Sequence, residues 1–476
     1  MNFNRLKHSR VFEIFEEICS IPHGSGNCKK LTDYCIDFAK KLGLKYHSDT
    51  AGNVVIYKDG TKDTKPIILQ GHIDMVCQKV EGNTINFDTD GLSLLYIGDY
   101  ILADGTTLGG DNGIAVAMIL AILESDSIPH PPIEAVFTTD EEIGMIGAGK
   151  LDMSVLKSNR MINLDAEEDS SVIVSCAGGC DIHGSMPIEW VERNGAKVSV
   201  EIKGLQGGHS GVEINSGRFN SNILAGRILN ALSKEIEFDI IGINGGNKGN
   251  AITNLTKIEL CCNNPTLLIE KIDKISKEIS DEILYCEPDF IVENKIISSS
   301  DKFTVISPKN KNDLIFALFC IPNGVIAMSK MIENLVETSL NLGILKTTDN
   351  EINFLTALRS NKQTSLYALA DRIKLLFSKT SFSLYVSGFY PPWEYKNESK
   401  LQTEYINAYS NIVGEKPKIE AIHAGLECAV FASRINNIDC IAIGPDLLDV
   451  HTVNEKLSIS STIKIFDVLI EVLKSL

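Results

Sequence analysis

Five short segments of this 476-residue chain combine histidine and carboxylate side chains at spacings that suit metal chemistry. Most of them directly follow apolar runs with the pattern of β-strands, and the ends of strands hold side chains rigidly enough for several of them to converge. The segments are G-H-I-D at 71–74, G-G-D-N-G at 109–113, T-T-D-E-E-I-G at 138–144, N-L-D at 163–165 and D-V-H at 449–451.

Each segment taken alone has an ordinary structural explanation. A lone histidine after a strand is usually a surface or core residue, a carboxylate in a turn such as Asp111 is usually a helix cap, and the adjacent pair Glu141-Glu142 is usually solvated. Four of the five segments, however, place a carboxylate or histidine at the exit of an apolar strand. This combination favours one shared site at the edge of a sheet.

Strand-like and helix-like runs alternate in the parts of the chain that carry these segments. The pattern predicts strands at Pro66–Gln70, Pro132–Thr139 and Met161–Leu164 and a helix at Asn112–Glu124. Because strands alternate with helices, we predict the α/β class with a mostly parallel sheet flanked by helices.

Composition excludes several classes of partner. Lysine and arginine total 45 against 62 aspartate and glutamate residues, a net charge of −17 that disfavours nucleic acid and anionic membranes. The apolar run Ile114–Leu123 is too short to span a bilayer. The N-terminus Met1–His8 has no secretion-signal pattern, and the twelve scattered cysteines contain no C-x-x-C pair, so we expect reduced thiols in a cytoplasmic protein.

Several motifs, taken in order along nearly the whole chain, resemble one known family. They are I-P-H-G-S-G at 21–26, G-H-I-D-M at 71–75, L-G-G-D-N-G at 108–113, T-D-E-E-I-G at 139–144, G-L-Q-G-G-H-S-G at 204–211, I-P-N-G at 321–324 and I-H-A-G-L-E-C at 422–428. The chain is similar to the dinuclear zinc M20 metallopeptidases, and within them to the cytosolic aminoacyl-histidine (Xaa-His) dipeptidases. It departs from that pattern after His451, where Thr452-Val453-Asn454-Glu455 stands in place of a Ser-Pro-Asp/Glu type sequence.

The resemblance implies a set of metal ligands. His72 and Asp165 would bind one zinc ion, Glu142 and His451 would bind the other, and Asp111 would bridge the two. Three carboxylates and one bridging hydroxide would then neutralise two Zn²⁺ ions, which avoids burying a net charge. Mn²⁺ or Co²⁺ could take the place of zinc.

The resemblance also implies the catalytic residues. Glu141 would be the general base that deprotonates a metal-bound water and returns the proton to the leaving amine. Asp74 would orient the His72 imidazole, as a carboxylate usually does for a metal-bound histidine. His209 would stabilise the oxyanion from a separate lid domain.

Further residues would bind the substrate. Arg359 would hold the C-terminal carboxylate of the substrate, a role suited to its bidentate guanidinium, and Asn250 would help to polarise the carbonyl. A surface ion pair for Arg359 and a turn cap for Asn250 remain open alternatives. The segment 423–427 would line the substrate site through His423, Gly425 and Glu427.

The long separation between Asp165 and His451 predicts a discontinuous catalytic domain, formed by residues 1–180 and 392–476. Residues 181–391 would form an inserted α+β lid domain, since the pattern changes near Cys180 and again near Trp393. Helical spacing within this insert predicts helices at Gly217–Leu232, Thr266–Ile283, Phe303–Phe319 and Ser365–Phe377.

These inferences together predict a zinc-dependent dipeptidase that hydrolyses unblocked dipeptides, the Xaa-His type included. One alternative is a deacylase that removes an acyl group from amino acids with the same metal cluster. Another is a non-catalytic metal-bound scaffold, although the retention of Glu141 beside all five ligands argues against it. Because the family includes dimers, a homodimer is one expected assembly.

Overall fold

The structure is a computed structural model that describes residues 7–476, and residues 1–6 of the predicted catalytic domain lie outside the described part. The chain divides into two compact units. The first unit extends to Cys176 and includes Trp393–Ala421 and Leu426–Leu476, whereas the second comprises Ala177–Pro392 and Ile422–Gly425.

Helices and strands alternate in the first part of the chain as far as Cys176. The elements are α1 (Ser9–Cys19), α2 (Lys29–Lys41), β1 (Lys45–Ser48), β2 (Val54–Lys58), β3 (Ile67–His72), β4 (Leu94–Ile97), β5 (Tyr100–Ala103), α3 (Gly110–Glu124), β6 (Ile133–Thr138), α4 (Ile146–Lys150), β7 (Arg160–Asn163) and β8 (Ser171–Cys176).

The remaining elements belong first to the second unit and then to the return into the first. The second unit contains β9 (Gly178–Pro187), β10 (Trp190–Lys203), β11 (Gly208–His209), α5 (Ser221–Leu232), β12 (Asp239–Gly245), β13 (Ala251–Ile252), β14 (Thr256–Cys262), α6 (Pro265–Ile283), β15 (Ile291–Ile306), α7 (Pro308–Cys320), β16 (Gly324–Met328), β17 (Val336–Thr347), β18 (Glu351–Ser360), α8 (Gln363–Phe377) and β19 (Ser383–Tyr390). The return contains α9 (Lys400–Val413), β20 (Lys418–Ile422), α10 (Glu427–Arg434), β21 (Asp439–Ala442), β22 (Leu447–Leu448), β23 (Lys456–Ser458) and α11 (Ile459–Ser475).

An eight-stranded sheet in the order β1-β2-β6-β3-β7-β21-β8-β20 forms the centre of the first unit. The four neighbours β6, β3, β7 and β21 run parallel, whereas β1, β2 and β8 pair antiparallel toward the edges. The predicted α/β class is confirmed, and the parallel arrangement holds for the central strands. The sequence pattern of a single strand does not show its direction, so it could not predict that β2 and β8, outside the parallel core, run antiparallel to their neighbours.

The central strands are buried along their whole length, which explains their continuous apolar sequences. Every residue of β3 and of β6 is buried. Helix α3 packs against β3, and α9 and α10 pack against β21. Helix α3 is itself buried from Asn112 to Leu123, so the apolar run Ile114–Leu123 lies in the core. Between residues 7 and 476, no helix is both long and apolar enough to cross a membrane.

A small four-stranded sheet, in the order β22-β23-β5-β4, adds to the first unit. Strand β23 pairs with β5 through Leu457 and Ile101, and β22 pairs with β23 through Leu447 and Leu457. The chain between β22 and β23 carries His451, so this sheet fixes both ends of the segment that holds that histidine.

The second unit is built on a nine-stranded antiparallel sheet in the order β15-β10-β14-β12-β17-β18-β9-β19, with β16 paired to β17. Burial alternates along β10 and β18, the pattern of strands with one covered face. The buried residues of helices α5, α6, α7 and α8 join those of the strands in one apolar core. This unit therefore has the α+β character expected for residues 181–391.

One predicted helix begins at the wrong residue. The helical spacing predicted a helix at Phe303–Phe319, but β15 continues to Ile306 and pairs with β10, and α7 begins only at Pro308. The side chain of Ser307 accepts the backbone N–H of Asn310 as an N-cap, and proline suits the first helical position because it has no N–H to satisfy. Pairing of β15 with β10 therefore extends the strand through residues whose local spacing predicted a helix.

Helix α4 closes the turn after β6 and provides a test of packing. The N–H of Gly147 donates to the carbonyl of Thr139 at 2.9 Å, and a Cβ at Gly147 would overlap that carbonyl and lie 2.6 Å from Oδ1 of Asn53. A Cβ at Gly149 would meet nothing within 4 Å.

We therefore expect Gly147→Ala to lower the free energy of unfolding by about 1–3 kcal/mol through overpacking. Gly149→Ala, two residues along the same helix, should leave it unchanged or raise it by up to about 1 kcal/mol, because alanine favours the helix. Denaturant unfolding of both variants measures the difference. Equal stability of the two variants would contradict the packing described for this turn.

Candidate metal centre

The carboxyl ends of the parallel strands bring the predicted metal-binding residues to one edge of the sheet. His72 is the last residue of β3, Glu142 follows β6, and Asp165 follows β7. Asp111 lies at the start of α3, where its backbone and that of Asn112 are not yet helical. Such an edge is where open α/β sheets build their sites.

Asp111 lies between the two histidines. Its Oδ1 is 3.0 Å from Nε2 of His72, and its Oδ2 is 3.1 Å from Nε2 of His451. One carboxylate therefore faces each imidazole with a different oxygen, which is the arrangement that a carboxylate shared by two cations requires.

The two remaining carboxylates each lie beside one histidine. Asp165 Oδ1 is 3.5 Å from Nε2 of His72, and a carboxylate oxygen of Glu142 is 3.0 Å from Nε2 of His451. Ligand atoms of His72, Asp111 and Glu142 all lie within 4.8 Å of one another. The structure thus brings together all five residues that the sequence analysis named as ligands, in two groups that share Asp111.

The charge of this cluster fits divalent cations. Burial raises the pKa of Asp165 to about 7, with His72 opposing the shift. The carboxylates of Asp111 and Glu142 raise the pKa of His451 to about 11, and although burial lowers the pKa of His72, Asp165 and Asp111 raise it well above its usual value. The crowded carboxylates are therefore stabilised by nearby positive charge. Imidazole and carboxylate groups together are a donor set that binds Zn²⁺, Mn²⁺ and Co²⁺.

Asp74 holds the backbone of the neighbouring loop as well as the imidazole. Its carboxylate accepts the N–H of Glu141 at 2.9 Å and the N–H of Glu142 at 3.2 Å. The His72 Nδ1 lies 3.0 Å from the Asp74 backbone oxygen and 3.4 Å from its carboxylate. The expected contact with His72 is present, but the carbonyl is the nearer partner and the carboxylate mainly fixes residues 141 and 142.

Glu141 lies in a setting that favours proton uptake. Burial raises the pKa of its carboxyl well above the usual range, and the carboxylates of Asp165 and Glu427 add to the shift while His72 opposes it. A carboxylate with a raised affinity for protons, next to a site for cations, is suited to accept and release one proton.

Glu427 does not present a surface to a substrate. It is fully buried, its carboxylate accepts a hydrogen bond from the Thr138 hydroxyl at 2.6 Å, and the Gln70 amide donates to the same oxygen. Burial raises its pKa to about 7. The structure therefore places this predicted substrate contact beneath β3 and β6, because helix α10 begins at Glu427 and turns its side chain into the core.

In the second unit, hydrogen bonds to the imidazole of His209 determine which ring nitrogen carries the proton. Its Nδ1 accepts the N–H groups of Gly211 and Val212, both at 3.2 Å, which leaves the proton on Nε2. Burial and the charge of Arg359 lower its pKa, so the ring is neutral at neutral pH. A neutral imidazole with Nε2–H is a hydrogen-bond donor of the kind that an oxyanion needs.

Arg359 carries a guanidinium with unused donors. Its Nη1 donates to the Tyr390 hydroxyl at 3.0 Å, while its buried Nε has no partner. No carboxylate pairs with Arg359 within the described residues 7–476, so the surface ion pair considered from the sequence is absent there. The arrangement leaves this guanidinium available for an anion.

His423 also belongs to the second unit and is almost fully buried. Its Nε2 lies 2.7 Å from the Ser339 hydroxyl, and its Nδ1 lies 3.3 Å from Oδ1 of Asn361. Burial, together with Arg359, lowers the pKa of His423 to about 3. Gly425 ends the same short segment, Ile422–Gly425.

Asn250 has a different position from the other predicted substrate residues. Its side chain is exposed, and its backbone oxygen accepts the N–H of Ser210 at 2.9 Å, next to His209. The structure therefore links Asn250 to the His209 segment through the backbone, and a role for its amide stays a prediction.

The sequence analysis assigned no role to three residues near the centre. The Ser25 hydroxyl donates to the Asp74 carboxylate at 2.9 Å, and the neighbouring N–H of Gly26 donates to Asp140 at 2.7 Å. The carboxylate of Glu455 accepts backbone N–H groups next to Asp111. The motif I-P-H-G-S-G was noted without a role, because a serine hydroxyl and a glycine N–H carry no signal of which distant carboxylate they contact.

Comparison with models of protein families identifies the family of this chain. The model of the peptidase family M20/M25/M40 matches residues 68–475. The chain belongs to this peptidase family. It is therefore a metallopeptidase, and the resemblance found in the sequence motifs is confirmed.

Individual relatives extend over the whole chain. The cytosol non-specific dipeptidase of Escherichia coli K12 is 32% identical and covers 99% of both chains. The crystal structure of aminoacylhistidine dipeptidase from Vibrio alginolyticus is 32% identical, with a TM-score of 0.92 over 100% of this chain and 98% of that one. A tripeptidase from Staphylococcus aureus, 16% identical with a TM-score of 0.58 over 98% of each chain, shares the fold.

The buried, uncharged state of His423 predicts a specific pH dependence of stability. An unfolded histidine has a pKa near 6.5, about 3.5 units above the folded value of about 3. Below pH 6.5 the unfolded state therefore binds a proton that the folded state does not, and the free energy of unfolding falls as the pH falls toward 3.

We expect the free energy of unfolding of the wild type to fall, relative to that of His423→Gln, by about 1.4 kcal/mol per pH unit between pH 6 and 4. Glutamine keeps an amide near Ser339 but does not titrate, so the difference isolates His423. Denaturant unfolding of both proteins at several pH values measures it. Parallel profiles would show that His423 is not held neutral in the folded state.

Proposed function

We propose that this member of the M20 family is a metal-dependent dipeptidase that hydrolyses unblocked dipeptides, the Xaa-His type included. The observation that carries the proposal is the position of Asp111 between His72 and His451. The full-length likeness to a non-specific dipeptidase and to an aminoacylhistidine dipeptidase supports the substrate class.

Two divalent metal ions per chain complete the proposed site, with zinc as the first candidate and manganese or cobalt as alternatives. His72 and Asp165 would hold one ion, His451 and Glu142 the other, and Asp111 both. When bound, such ions supply Lewis acidity that polarises a carbonyl and lowers the pKa of water. The protein contributes a rigid donor set at the ends of β3, β6 and β7.

Proton transfer falls to Glu141 in this proposal. Its carboxylate accepts a proton from the attacking water and delivers it to the nitrogen of the leaving amino acid. Asp74 keeps Glu141 and Glu142 in fixed relative positions, because its carboxylate accepts both backbone N–H groups. The base therefore stays in place while the neighbouring residue acts as a ligand.

We further propose that residues 1–180 and 392–476 act as the catalytic domain and residues 181–391 as a lid domain that supplies substrate contacts. The Nε2–H of His209 would donate to the oxyanion, and the guanidinium of Arg359 would bind the free carboxylate of the dipeptide. His423, Gly425 and Asn250 would lie along the substrate. The neutral state of His209 and His423 leaves Arg359 as the charge that selects an anion.

Location and assembly extend the proposal. All twelve cysteines are free thiols in the described chain, which suits a reducing cytoplasm. We propose a cytoplasmic enzyme that can form a homodimer, and sedimentation of the purified protein measures the assembly. The deacylase alternative predicts turnover of N-acetyl amino acids in preference to free dipeptides, so one substrate panel separates the two activities.

Replacing Glu141 with glutamine should separate the base from the ligands. Glu141→Gln removes the proton acceptor but none of the five ligands, so metal content should stay at the wild-type value while kcat falls by about 10²–10⁴-fold. His451→Ala, the contrasting variant, should lose metal from its side of the cluster. Elemental analysis after dialysis and dipeptide turnover measure both effects, and near-wild-type turnover in Glu141→Gln would remove this residue from the mechanism.

Arg359 predicts a preference for substrates with a free carboxylate. In the proposed function Arg359 binds the free carboxylate of the substrate, so a dipeptide amide would leave the guanidinium unpaired at an expensive desolvation cost. We expect rapid cleavage of dipeptides, poor cleavage of dipeptide amides and slow cleavage of tripeptides. Turnover of a matched dipeptide, amide and tripeptide series with added zinc, manganese or cobalt tests the proposed function directly.

Two variants distinguish the roles in this series. Arg359→Ala should abolish most of the preference for the acid over the amide, because the discriminating charge is gone. His209→Ala should instead lower turnover of every substrate by about 10²–10³-fold. Equal cleavage of a dipeptide and its amide by the unmodified enzyme would show that Arg359 does not bind the substrate carboxylate.

A further inference from the structure

The carboxylate of Glu455 accepts four consecutive backbone N–H groups in the turn that carries Asp111. Its Oε2 accepts from Leu108 at 2.8 Å and from Gly109 at 3.2 Å, and its Oε1 accepts from Gly110 at 2.8 Å and from Asp111 at 3.3 Å. Consecutive N–H groups that point to one side form a concave binding site for an anion. In this turn the anion is a side chain of the protein itself.

The two glycines allow the turn to close around this carboxylate. Gly109 has a φ of 65°, which favours glycine, and a Cβ at this position would lie 2.8 Å from the Met75 sulfur. A Cβ at Gly110 would lie 2.7 Å from a methyl group of Leu447 and 3.3 Å from Oε1 of Glu455. The sequence L-G-G-D is thus adapted to the close approach of Glu455.

Glu455 is only 3% exposed, so its contacts are shielded from water. Hydrogen bonds from N–H groups to a charged carboxylate are about twice as strong as neutral ones, and removing one buried partner leaves the others unsatisfied. The position of the turn therefore depends strongly on this one side chain.

The same loop contacts Asp111 a second time through His451. The His451 Nε2 lies 3.1 Å from Oδ2 of Asp111, while Glu455 accepts the backbone N–H of Asp111. Directly after Glu455, β23 pairs with β5 through Lys456 and Leu102, which anchors this end of the loop. Segment 451–455 therefore holds Asp111 by its backbone and faces its carboxylate with an imidazole.

We propose that Glu455 is a positioning residue for the metal centre: it fixes the Asp111 turn and the His451 loop relative to each other, so that the Asp111 carboxylate can serve both metal ions. This inference rests on the proposed two-metal function.

Glu134 provides a matched control. It is also 3% exposed and also accepts backbone N–H groups from another segment, those of Lys157 at 2.8 Å and of Ser158 at 3.0 Å. It lies on β6 of the same unit, and within residues 7–476 its side chain makes its hydrogen bonds to Lys157 and Ser158 and none to a residue of the metal centre. Glu134→Gln therefore reproduces the loss of a buried carboxylate without disturbing Asp111.

The experiment compares wild type, Glu455→Gln and Glu134→Gln in the full chain. Hydrogen exchange of the metal-free proteins, followed by mass spectrometry, should show faster exchange at residues 108–111 only in Glu455→Gln and at 157–158 only in Glu134→Gln. Calorimetric titration with Mn²⁺ alone should show binding weakened about 10–100-fold in Glu455→Gln and unchanged in Glu134→Gln. Excess metal should then restore much of the dipeptide turnover of Glu455→Gln.

Glu455→Asp is measured alongside, because it keeps the charge but is too short to reach all four N–H groups. If Glu455→Gln shows no cooperative unfolding, Glu455→Asp decides: weaker Mn²⁺ binding supports the proposal, and wild-type binding overturns it. Wild-type affinity in Glu455→Gln, or equal weakening in Glu134→Gln, would also overturn it. Failure of the wild type to bind two ions would instead contradict the proposed function, and this inference with it.

Discussion

The burial of several carboxylates around Asp111 is the constraint on which the rest of the structure depends. Three carboxylates meet two imidazoles at one sheet edge, and only His451 is substantially exposed. Like charges cannot be held together away from water unless positive charge joins them. The parallel strands β3, β6 and β7 provide the rigidity that keeps the cluster assembled against its own repulsion, and divalent cations would supply the compensating charge.

Rigid strands alone do not place the ligands, because most of these side chains lie on the turns beyond the strand ends. Two buried carboxylates hold those turns. Asp74 accepts the N–H groups of Glu141 and Glu142, and Glu455 accepts those of residues 108–111. Each acts on the backbone of a segment distant in sequence, so the geometry of the centre is defined by main-chain hydrogen bonds as much as by the ligands themselves.

The sequence predicted that these histidines and carboxylates meet at one edge of the sheet because strand exits restrict their positions, whereas the assignment of each residue to a metal ion came from the family resemblance and stays a prediction. It could not predict that Glu427 is buried beneath β3, since an acidic residue at a helix start is more often exposed. It also placed a helix start at Phe303, where pairing of β15 with β10 extends the strand to Ile306. The burial of Glu427 and the start of α7 both depend on contacts between segments distant in sequence, which the local spacing of residues does not reveal.

The two units contain uncompensated charges of opposite sign. The first gathers carboxylates that divalent cations would neutralise. In the second, Arg359 lies near the neutral His209 and His423 and near Asp181, but no carboxylate in residues 7–476 forms an ion pair with it. A protonated His209 or His423 would compete with Arg359 for an anion, so the low pKa of both rings keeps the attraction specific to one guanidinium. Under the proposed function, a free dipeptide matches both demands, because its carbonyl suits a cationic centre and its carboxylate suits the arginine.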